Sequence, residues 1–340
     1  MPSSERKPIN NQTQGMLLGL LGVTIFSLSL PMTHVAITSL NPILVGLGRA
    51  LVAAIPAAAL LIWRREKRPS LSQMGRLAVI SFGVIVGYPV FSGLALQTVP
   101  ASHGAVVNGL LPLATALYAA WLSHERPSRA FWGWAVLGSA LVLAYALWTG
   151  HGAPAVGDLW MLAAIATCGL GYAEGGRLAK ELGDWQVICW ALVLSAPVLV
   201  APVGWLAWQH HGPVAPHVWF AFGYLSLFSQ LLGFFAWYAG LARGGIARVG
   251  QVQLLQIFLT LGFSALLFGE SVASVSWLFA LAVLATVMAG RRAAVAQRTT
   301  ASPTGAAGAA KISLAAPSAQ AAQTAQTAQT AQAASAARAV

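Results

Sequence analysis

The chain contains 340 residues, of which 57% are hydrophobic and 8% are charged, whereas a soluble domain carries about 25% charged residues. Its formal net charge is +11, but the basic residues lie in short segments between apolar stretches, so nucleic-acid binding is excluded. The two cysteines, Cys168 and Cys189, both lie within apolar stretches, which excludes a disulfide framework. This composition predicts an all-α membrane protein.

Ten apolar stretches follow one another along the chain. Most are long enough, at about 1.5 Å per residue, to cross an apolar layer about 30 Å thick. The first is too long for the hydrophobic region of a signal peptide. We therefore expect ten transmembrane helices, at residues 16–37, 43–63, 77–96, 102–122, 131–148, 159–175, 185–208, 218–241, 249–268 and 275–288.

The lysines and arginines occupy alternate gaps between these stretches. They precede the first stretch and follow the second, fourth, sixth, eighth and tenth, and the other gaps contain none. Short loops rich in Lys and Arg stay in the cytoplasm. We therefore expect a multi-pass protein of the inner membrane with both termini in the cytoplasm, and the lipid bilayer, with its anionic inner leaflet, as a partner. Arg49, inside the second stretch, is the exception to the alternation.

The two halves of the chain resemble each other when one is shifted by 145 residues. Asn108 then meets Gln253, Thr115 meets Thr260, and a Glu ends both the fourth and the ninth stretch. Because each half contains five helices, an odd number, the halves must have opposite orientations in the membrane. Inverted repeats of this kind place a binding site at their interface, near the middle of the bilayer.

Short motifs in the same order and spacing support this reading. They are Gly48–Arg49–Ala50, Gly93–Leu94–Ala95–Leu96, Leu111–Pro112–Leu113, His124–Glu125–Arg126–Pro127, Gly157–Asp158–Leu159 and Gly269–Glu270. Over residues 15–292 the chain resembles the EamA-type branch of the drug/metabolite transporter superfamily. The resemblance implies two repeats of five helices and a transport function. It departs from the family pattern at His124, where Gly is usual, and at Ile257, where the ninth helix usually has a proline.

The resemblance and the composition together divide the chain into four segments. We expect a cytoplasmic N-terminal segment at residues 1–14, a first five-helix repeat at 15–150 and a second at 151–292. Residues 293–340 consist mostly of Ala, Gln, Thr and Ser. Such a segment cannot bury a core, so we expect a disordered cytoplasmic tail.

Arg49 is a candidate binding residue because a charge inside the membrane normally faces protein or a wet cavity and has a partner. It could meet a substrate carboxylate or gate the outer vestibule. The structural alternative is that it reaches outward to the interface, or pairs with Asp158 or Glu270.

Polar side chains repeat on one face of the fourth helix and one face of the ninth. Asn108 and Thr115 share the first face; Gln253, Gln256 and Thr260 share the second. We expect these two faces to oppose each other and line a cavity, with Tyr88, Gln230 and Trp237 as walls. The alternative is that the polar groups hold helices together by hydrogen bonding.

Two further residues are candidates for coupling transport to an ion gradient. Glu174 lies well inside an apolar stretch, where an acid can relay protons, but Arg177 at i+3 offers a simpler structural partner. His34 lies on a polar face of the first helix with Ser27, Pro31 and Thr38. It could carry protons or be a hydrogen-bonded structural group.

Sequence signatures of enzymes and ATP-driven pumps are missing: there is no phosphate-binding G-x-x-x-x-G-K-[ST] loop and no H-E-x-x-H helix. We expect no enzyme activity, no metal and no cofactor. The function that fits best is a secondary-active transporter, in the exporting direction on family analogy, of a small neutral or zwitterionic metabolite. The alternatives are a membrane-embedded enzyme and a non-transporting sensor or assembly subunit. The oligomeric state is not predicted.

Overall fold

A computed structural model describes residues 11–122, 129–149, 155–250, 252–269 and 271–292. Within these ranges the chain forms helices and turns without strands. The predicted tail, the loop with His124 to Pro127, Glu270 and most of the N-terminal segment lie outside them. We label the helices α1 (Thr13–Ala36), α2 (Pro42–Trp63), α3 (Leu71–Ala95), α4 (Ala101–Leu122), α5 (Arg129–Thr149), α6 (Val156–Leu182), α7 (Asp184–Trp208), α8 (Pro216–Gly244), α9 (Leu255–Phe268) and α10 (Ser274–Arg292).

Seven of the described helices, α1 to α4 and α6 to α8, are long and apolar enough to cross a membrane. The apolar parts of α9 and α10, Leu255–Leu267 and Ser274–Thr286, are shorter. Helix α9 is short because its stretch is interrupted: a helical turn at Ile246–Val249 and a 3₁₀ turn at Val252–Leu254 precede it. The helices lie where the sequence predicts them, and membrane crossing is supported for seven.

Large apolar side chains face outward, as they do where lipid is the solvent. Ile55, Val198 and Leu266 are each more than two-thirds exposed. Trp63 and Trp208 are exposed at the ends of α2 and α7, where aromatic side chains sit at the membrane–water interface. The outer surface is therefore that of a membrane protein.

Local sequence signals set where several helices begin. The Asn41 side chain accepts hydrogen bonds from the backbone N–H groups of Ile43 and Leu44, and Pro42 takes the first position of α2. Ser70 and Gln73 form a capping box at the start of α3. These caps satisfy backbone donors that the helices themselves leave unpaired.

Irregular helical segments recur in the two halves at nearly the same spacing as the sequence repeat. A π-helical segment occurs at Ser81–Gly87 in α3 and another at Tyr224–Leu232 in α8. A 3₁₀ turn occurs at Asn108–Leu110 in α4, and its counterpart is Val252–Leu254 before α9. The repeat therefore extends from residue identities to local backbone geometry.

Helix pairing also matches when the halves are exchanged. Helix α1 of the first half packs along α8 of the second, and α6 of the second half packs along α3 of the first. Because α1 corresponds to α6 and α3 corresponds to α8, the two pairs are equivalent. Small residues allow the close approach. A Cβ on Gly15 would lie 2.4 Å from the Gly244 nitrogen, and one on Gly83 would lie 2.9 Å from the Gly171 Cα. Helices α2 and α7 also pack together, as do α5 and α10.

Candidate functional site

A small cavity lies between six helices, three from each half of the chain. It measures about 20 Å³, and about 10–15 Å³ is enough to hold one water molecule. Ligand pockets are usually about 300–1,000 Å³, so this conformation is closed around the cavity. The wall consists of Phe26 and Ser29 from α1, Arg49 from α2, Val84 and Tyr88 from α3, Cys168 and Tyr172 from α6, Ser229 and Phe234 from α8, and Gln256 from α9.

Arg49 contributes a buried guanidinium to this wall, with 4% of the residue exposed. Its Nε donates a hydrogen bond of 2.9 Å to the side-chain Oε1 of Gln230. The Gln230 amide in turn donates from Nε2 to the Val84 carbonyl oxygen at 3.4 Å. Gln230 therefore fixes one edge of the guanidinium and leaves Nη1 and Nη2 for other partners.

Arg49 forms no ion pair with any carboxylate in the described part of the chain. The predicted alternative of a pair with Asp158 is wrong, because the Asp158 carboxylate bonds to His103 Nε2 at 2.5 Å and to the Ala155 N–H at 2.8 Å. Glu270 lies outside the described residues. A buried cation whose protein partner is a neutral amide is electrostatically suited to an anionic group in the cavity.

Tyr88 and Asn108 lie together, as the sequence predicts. The Tyr88 hydroxyl donates to Asn108 Oδ1 at 3.4 Å, and Tyr88 lines the cavity while Asn108 stands behind it. The fourth and ninth stretches do face each other here. A Cβ on Gly109 would come within 2.7 Å of Ile257 Cδ1.

Of the polar residues predicted on the ninth stretch, Gln256 reaches the cavity and Thr260 does not. Gln256 Nε2 donates to the Phe26 carbonyl oxygen at 3.4 Å, while its buried Oε1 accepts no hydrogen bond. The Thr260 hydroxyl donates to the Ser27 carbonyl oxygen at 2.8 Å. That carbonyl is available because Pro31, four residues later, has no N–H to offer it. Thr260 therefore stabilises the irregular part of α1 by donating a hydrogen bond to it.

Gln230, which bonds to Arg49, is not part of the cavity wall, and three other predicted residues also lie outside it. Thr115 bonds within its own helix, from its hydroxyl to the Leu111 carbonyl oxygen at 2.9 Å. Gln253 is buried, and neither atom of its side-chain amide has a hydrogen-bond partner. Trp237 is fully buried, and its Nε1 also lacks a partner.

Aromatic side chains form one side of the cavity. Phe26 meets Phe234 with ring centroids 5.1 Å apart, and Trp237 supports Tyr172 from behind at 5.1 Å. The sequence did not point to six of the wall residues: Phe26, Ser29, Val84, Cys168, Tyr172 and Ser229. Ser29 lies just after the break of α1 at Leu28 and bonds to Ser229 at 2.8 Å. Pro31 was the signal in the sequence for that break.

The two coupling candidates lie away from the cavity. Glu174 is buried and bonds to Arg76 of α3 and, from Oε2, to Arg177 at 3.1 Å. The predicted pairing with Arg177 is therefore present, and a second arginine joins it. His34 is exposed on α1 and is not part of the cavity wall.

These features define an integral membrane protein in which two halves of similar helical plan enclose a small cavity with a buried arginine in its wall. Two consecutive segments of the chain, residues 13–149 and 155–289, each match the EamA-like transporter family. The chain belongs to that family, and the predicted resemblance is confirmed.

Individual relatives agree with this assignment. The uncharacterized transporter YdeK of Bacillus subtilis is 43% identical over 292 residues, covering 84% of this chain and 99% of its own. The uncharacterized transporter sll0355 of Synechocystis is 24% identical over 256 residues, covering 67% of this chain and 76% of its own. A protein of known crystal structure matches with a TM-score of 0.60 at 18% identity, over 83% of this chain and 99% of its own, which shows the fold alone.

Proposed function

We propose that the protein is a secondary-active transporter of a small zwitterionic metabolite, working by alternating access in the inner membrane. Export is the expected direction, from the family resemblance. Of the neutral and zwitterionic metabolites that the sequence allows, the zwitterionic class fits the cavity better. The single observation that carries this choice is Arg49, a buried cation in the cavity wall that pairs with no carboxylate among the described residues.

The guanidinium geometry favours a carboxylate as the group it binds. Gln230 holds Arg49 through Nε, so the Nη1 and Nη2 edge is the one available to a ligand. A guanidinium binds a carboxylate through two parallel hydrogen bonds, which fixes orientation as well as adding energy. The substrate carboxylate would thus supply a counter-charge that none of the described carboxylates gives to Arg49.

A second part of the cavity wall suits a positively charged or hydrogen-bond-donating group. The Oε1 atom of Gln256 is a buried acceptor that receives no hydrogen bond from the described part of the chain. Phe26, Tyr172 and Phe234 present aromatic rings beside it in the same wall, and aromatic faces attract ammonium groups. A ligand with a carboxylate at one end and an ammonium group at the other would then find a favourable partner for each of its charges.

The transport mechanism we propose requires ten crossings and two halves of opposite orientation. The recurrence of irregular segments and the matching helix pairs support an exchangeable pair of five-helix units. Such units can rock against each other and expose a central site to each side in turn. Both termini would then be cytoplasmic, following the alternation of basic residues.

The rival enzyme function lacks support in the site. Among the described residues that line the cavity, Arg49 is the one charged side chain, and none is a His, Asp or Glu, the side chains that most often act as general acids and bases. Nothing in the described residues favours the sensor function over transport either.

The test compares metabolites exported by cells that carry the protein, the Arg49→Lys variant, the Arg49→Gln variant or no protein. We expect one or a few zwitterionic compounds to accumulate outside only with the wild type, weakly with Arg49→Lys and at background with Arg49→Gln. Lys keeps the charge but not the two-pronged geometry. Equal export by Arg49→Gln, at equal protein level, would refute the assigned role of Arg49.

A further inference from the structure

Helix α6 is held by the first half of the chain at both of its ends. Near its N-terminus, Asp158 bonds to His103 of α4. Near its C-terminus, Glu174 bonds to Arg76 of α3. The two acids are sixteen residues apart in sequence, or about 24 Å along a helix. Two cavity residues, Cys168 and Tyr172, belong to the part of α6 between them.

The contact at the N-terminal end is buried and supported on several sides. His103 and Asp158 have side chains 8% and 6% exposed, with Nε2 and Oδ1 2.5 Å apart. The His103 ring packs on Tyr145, whose hydroxyl lies 2.9 Å from Ser276 Oγ. Separating this pair would leave a buried acid without its partner, so the pair favours closure at this end.

The contact at the C-terminal end is an ion-pair network. Arg76 Nε donates to Glu174, and Arg76 Nη1 donates to both carboxylate oxygens of Glu181 at 2.7 and 2.8 Å. Glu174 is 6% exposed, whereas Glu181 is half exposed. Arg177 also binds Glu174, but it belongs to α6 itself and joins no second helix. Arg76 is therefore the charged link from this end of α6 to α3.

Between the two contacts, small residues of α6 come close to the first half at two places. A Cβ on Gly171 would lie 3.3 Å from Gly83 Cα, and one on Gly169 would lie 2.8 Å from Ala114 Cβ. The facing part of α3 is the π-helical segment Ser81–Gly87, a geometry common at functional sites.

We propose that these two contacts are the latches of the transport cycle: the Arg76–Glu174 latch closes one side of the membrane and the His103–Asp158 latch closes the other. Both are formed in the closed conformation. Opening toward either side breaks one latch while α6 shifts against α3 and α4 and the other latch holds. The proposal rests on the alternating-access part of the proposed function, and not on the identity of the substrate.

Cys168 provides a native reporter of opening because it lines the cavity and is buried. The chain has two cysteines, so Cys189→Ser leaves Cys168 as the single thiol. A membrane-impermeant thiol reagent is added to intact cells or to inverted membrane vesicles. It reaches Cys168 only when the side facing the reagent is open.

In this background, Arg76→Gln should raise the labelling rate from one side, and His103→Phe should raise it from the opposite side. His103→Phe keeps a ring to pack on Tyr145 while removing the bond to Asp158. We expect increases of about tenfold, which correspond to a shift of about 1.4 kcal/mol in the equilibrium between closed and open forms. Under the proposed topology, the Arg76 variant is labelled faster in inverted vesicles.

Two matched controls remove a similar charge without releasing a latch. Arg177→Gln removes the arginine that binds Glu174 from its own helix. Arg243→Gln breaks the pair of Arg243 with Asp184, which lies within the second half of the chain at 3.1 Å. Both controls should label at the rate of the Cys189→Ser parent from either side.

Faster labelling from the same side in both latch variants would overturn the proposal, and so would unchanged labelling in properly inserted protein. Acceleration in the Arg177 control equal to that in the Arg76 variant would also overturn it. Insertion is checked by size-exclusion chromatography of each variant in detergent. The assay needs no substrate, so it can succeed even if the zwitterionic substrate class is wrong, and it can fail while that class is right.

Discussion

At the scale of single residues, the contact between Arg49 and Gln230 is the most consequential in the cavity. A neutral amide orients the guanidinium without cancelling its charge. A carboxylate at position 230 would do both, because it would form a buried ion pair with Arg49. Glutamine at position 230 therefore holds the Arg49 side chain in place and leaves its positive charge available to a ligand.

Gln230→Glu is expected to lower affinity for a carboxylate-bearing substrate by at least about tenfold, or about 1.4 kcal/mol. The introduced carboxylate competes with the substrate for Arg49. Thermal stability in detergent should rise at the same time, because a buried cation gains a counter-charge. Binding is measured by isothermal titration calorimetry and stability by thermal unfolding of the same preparations.

The uncharged control for that substitution is Gln230→Met. It removes the acceptor from Arg49 Nε, so stability should fall by about 1–3 kcal/mol. Substrate affinity at or above the wild-type value in Gln230→Glu would show that Arg49 does not bind the substrate carboxylate.

Gln253 is a buried amide whose two polar atoms have no hydrogen-bond partner among the described residues of this closed conformation, and we expect it to bind substrate in an open one. Gln253→Leu keeps much of the volume and removes the unpaired atoms. Stability should therefore rise by about 1 kcal/mol while substrate affinity falls by about 1–3 kcal/mol. The comparison is Asn108→Ala, which loses the bond to Tyr88 and should lower both. Undiminished affinity in Gln253→Leu would remove that residue from the site.

The sequence was informative about which residues are polar and buried, but less about which of them share a cavity. Arg49, Tyr88 and Gln256 do line it, and Gln230 bonds to Arg49. Thr260 could not be placed correctly, because its partner is a backbone carbonyl of a helix 233 residues away in sequence. Residues spaced at helical intervals can be assigned to one face of a helix, but the spacing does not show which other part of the protein that face contacts.

At the scale of elements, the break in α1 explains several contacts at once. Pro31 removes the N–H that would bond to the Ser27 carbonyl oxygen, and Leu28 forms a turn between the two helical parts. In lipid such a carbonyl must find another donor, and Thr260 of α9 supplies it. The break thus ties the first helix of one half to the ninth stretch of the other.

This link predicts a specific double-mutant cycle. Thr260→Val should lower stability by about 1–3 kcal/mol, because the Ser27 carbonyl oxygen loses its donor. Pro31→Ala restores a local N–H, so adding it to Thr260→Val should recover part of the loss, with a coupling energy of about 0.5–3 kcal/mol. Thermal unfolding of the four proteins measures it. Strictly additive effects would mean that Pro31 does not create the need for Thr260.

Helix positions were predictable because apolar length and capping residues specify them locally, as Asn41 does at the start of α2. The interior irregularities were less so. Pro112 lies just after the 3₁₀ turn at Asn108–Leu110 and accounts for it. The matching turn at Val252–Leu254 has Ile257 at the position that corresponds to Pro112. The sequence of that segment therefore gave no comparable signal for the turn.

At the scale of the whole molecule, the alternation of basic loops makes a prediction that the fold alone does not. In a protein lacking Cys168 and Cys189, a cysteine at Lys67 should resist an impermeant reagent added to intact cells, and one at Gln97 should react. Both positions are exposed and lie outside α3, beyond its opposite ends. Reaction at position 67 from outside would refute the predicted orientation.

The side-chain contacts between the two halves were the feature of the molecule that was least predictable from the sequence. Arg76 and Glu174 are 98 residues apart, and His103 and Asp158 are 55 apart. Nothing in local periodicity specifies such a pair. The 145-residue repeat did indicate that the halves share a plan, and the recurring π-helical segments agree with it.

The two halves share the same arrangement of helices, but among the described residues only the first half places a charged side chain in the cavity wall. Positions 191–194 of α7, which correspond to Arg49 in α2, are Ala, Leu, Val and Leu. A cavity with two related cations would let a ligand bind equally well in either of two reversed poses. With one cation the ligand has a single pose, and its remaining substituents meet different walls. Mirror-image forms of the same compound would then make unequal contacts, so a racemic mixture supplied to the transporter should emerge enriched in one enantiomer.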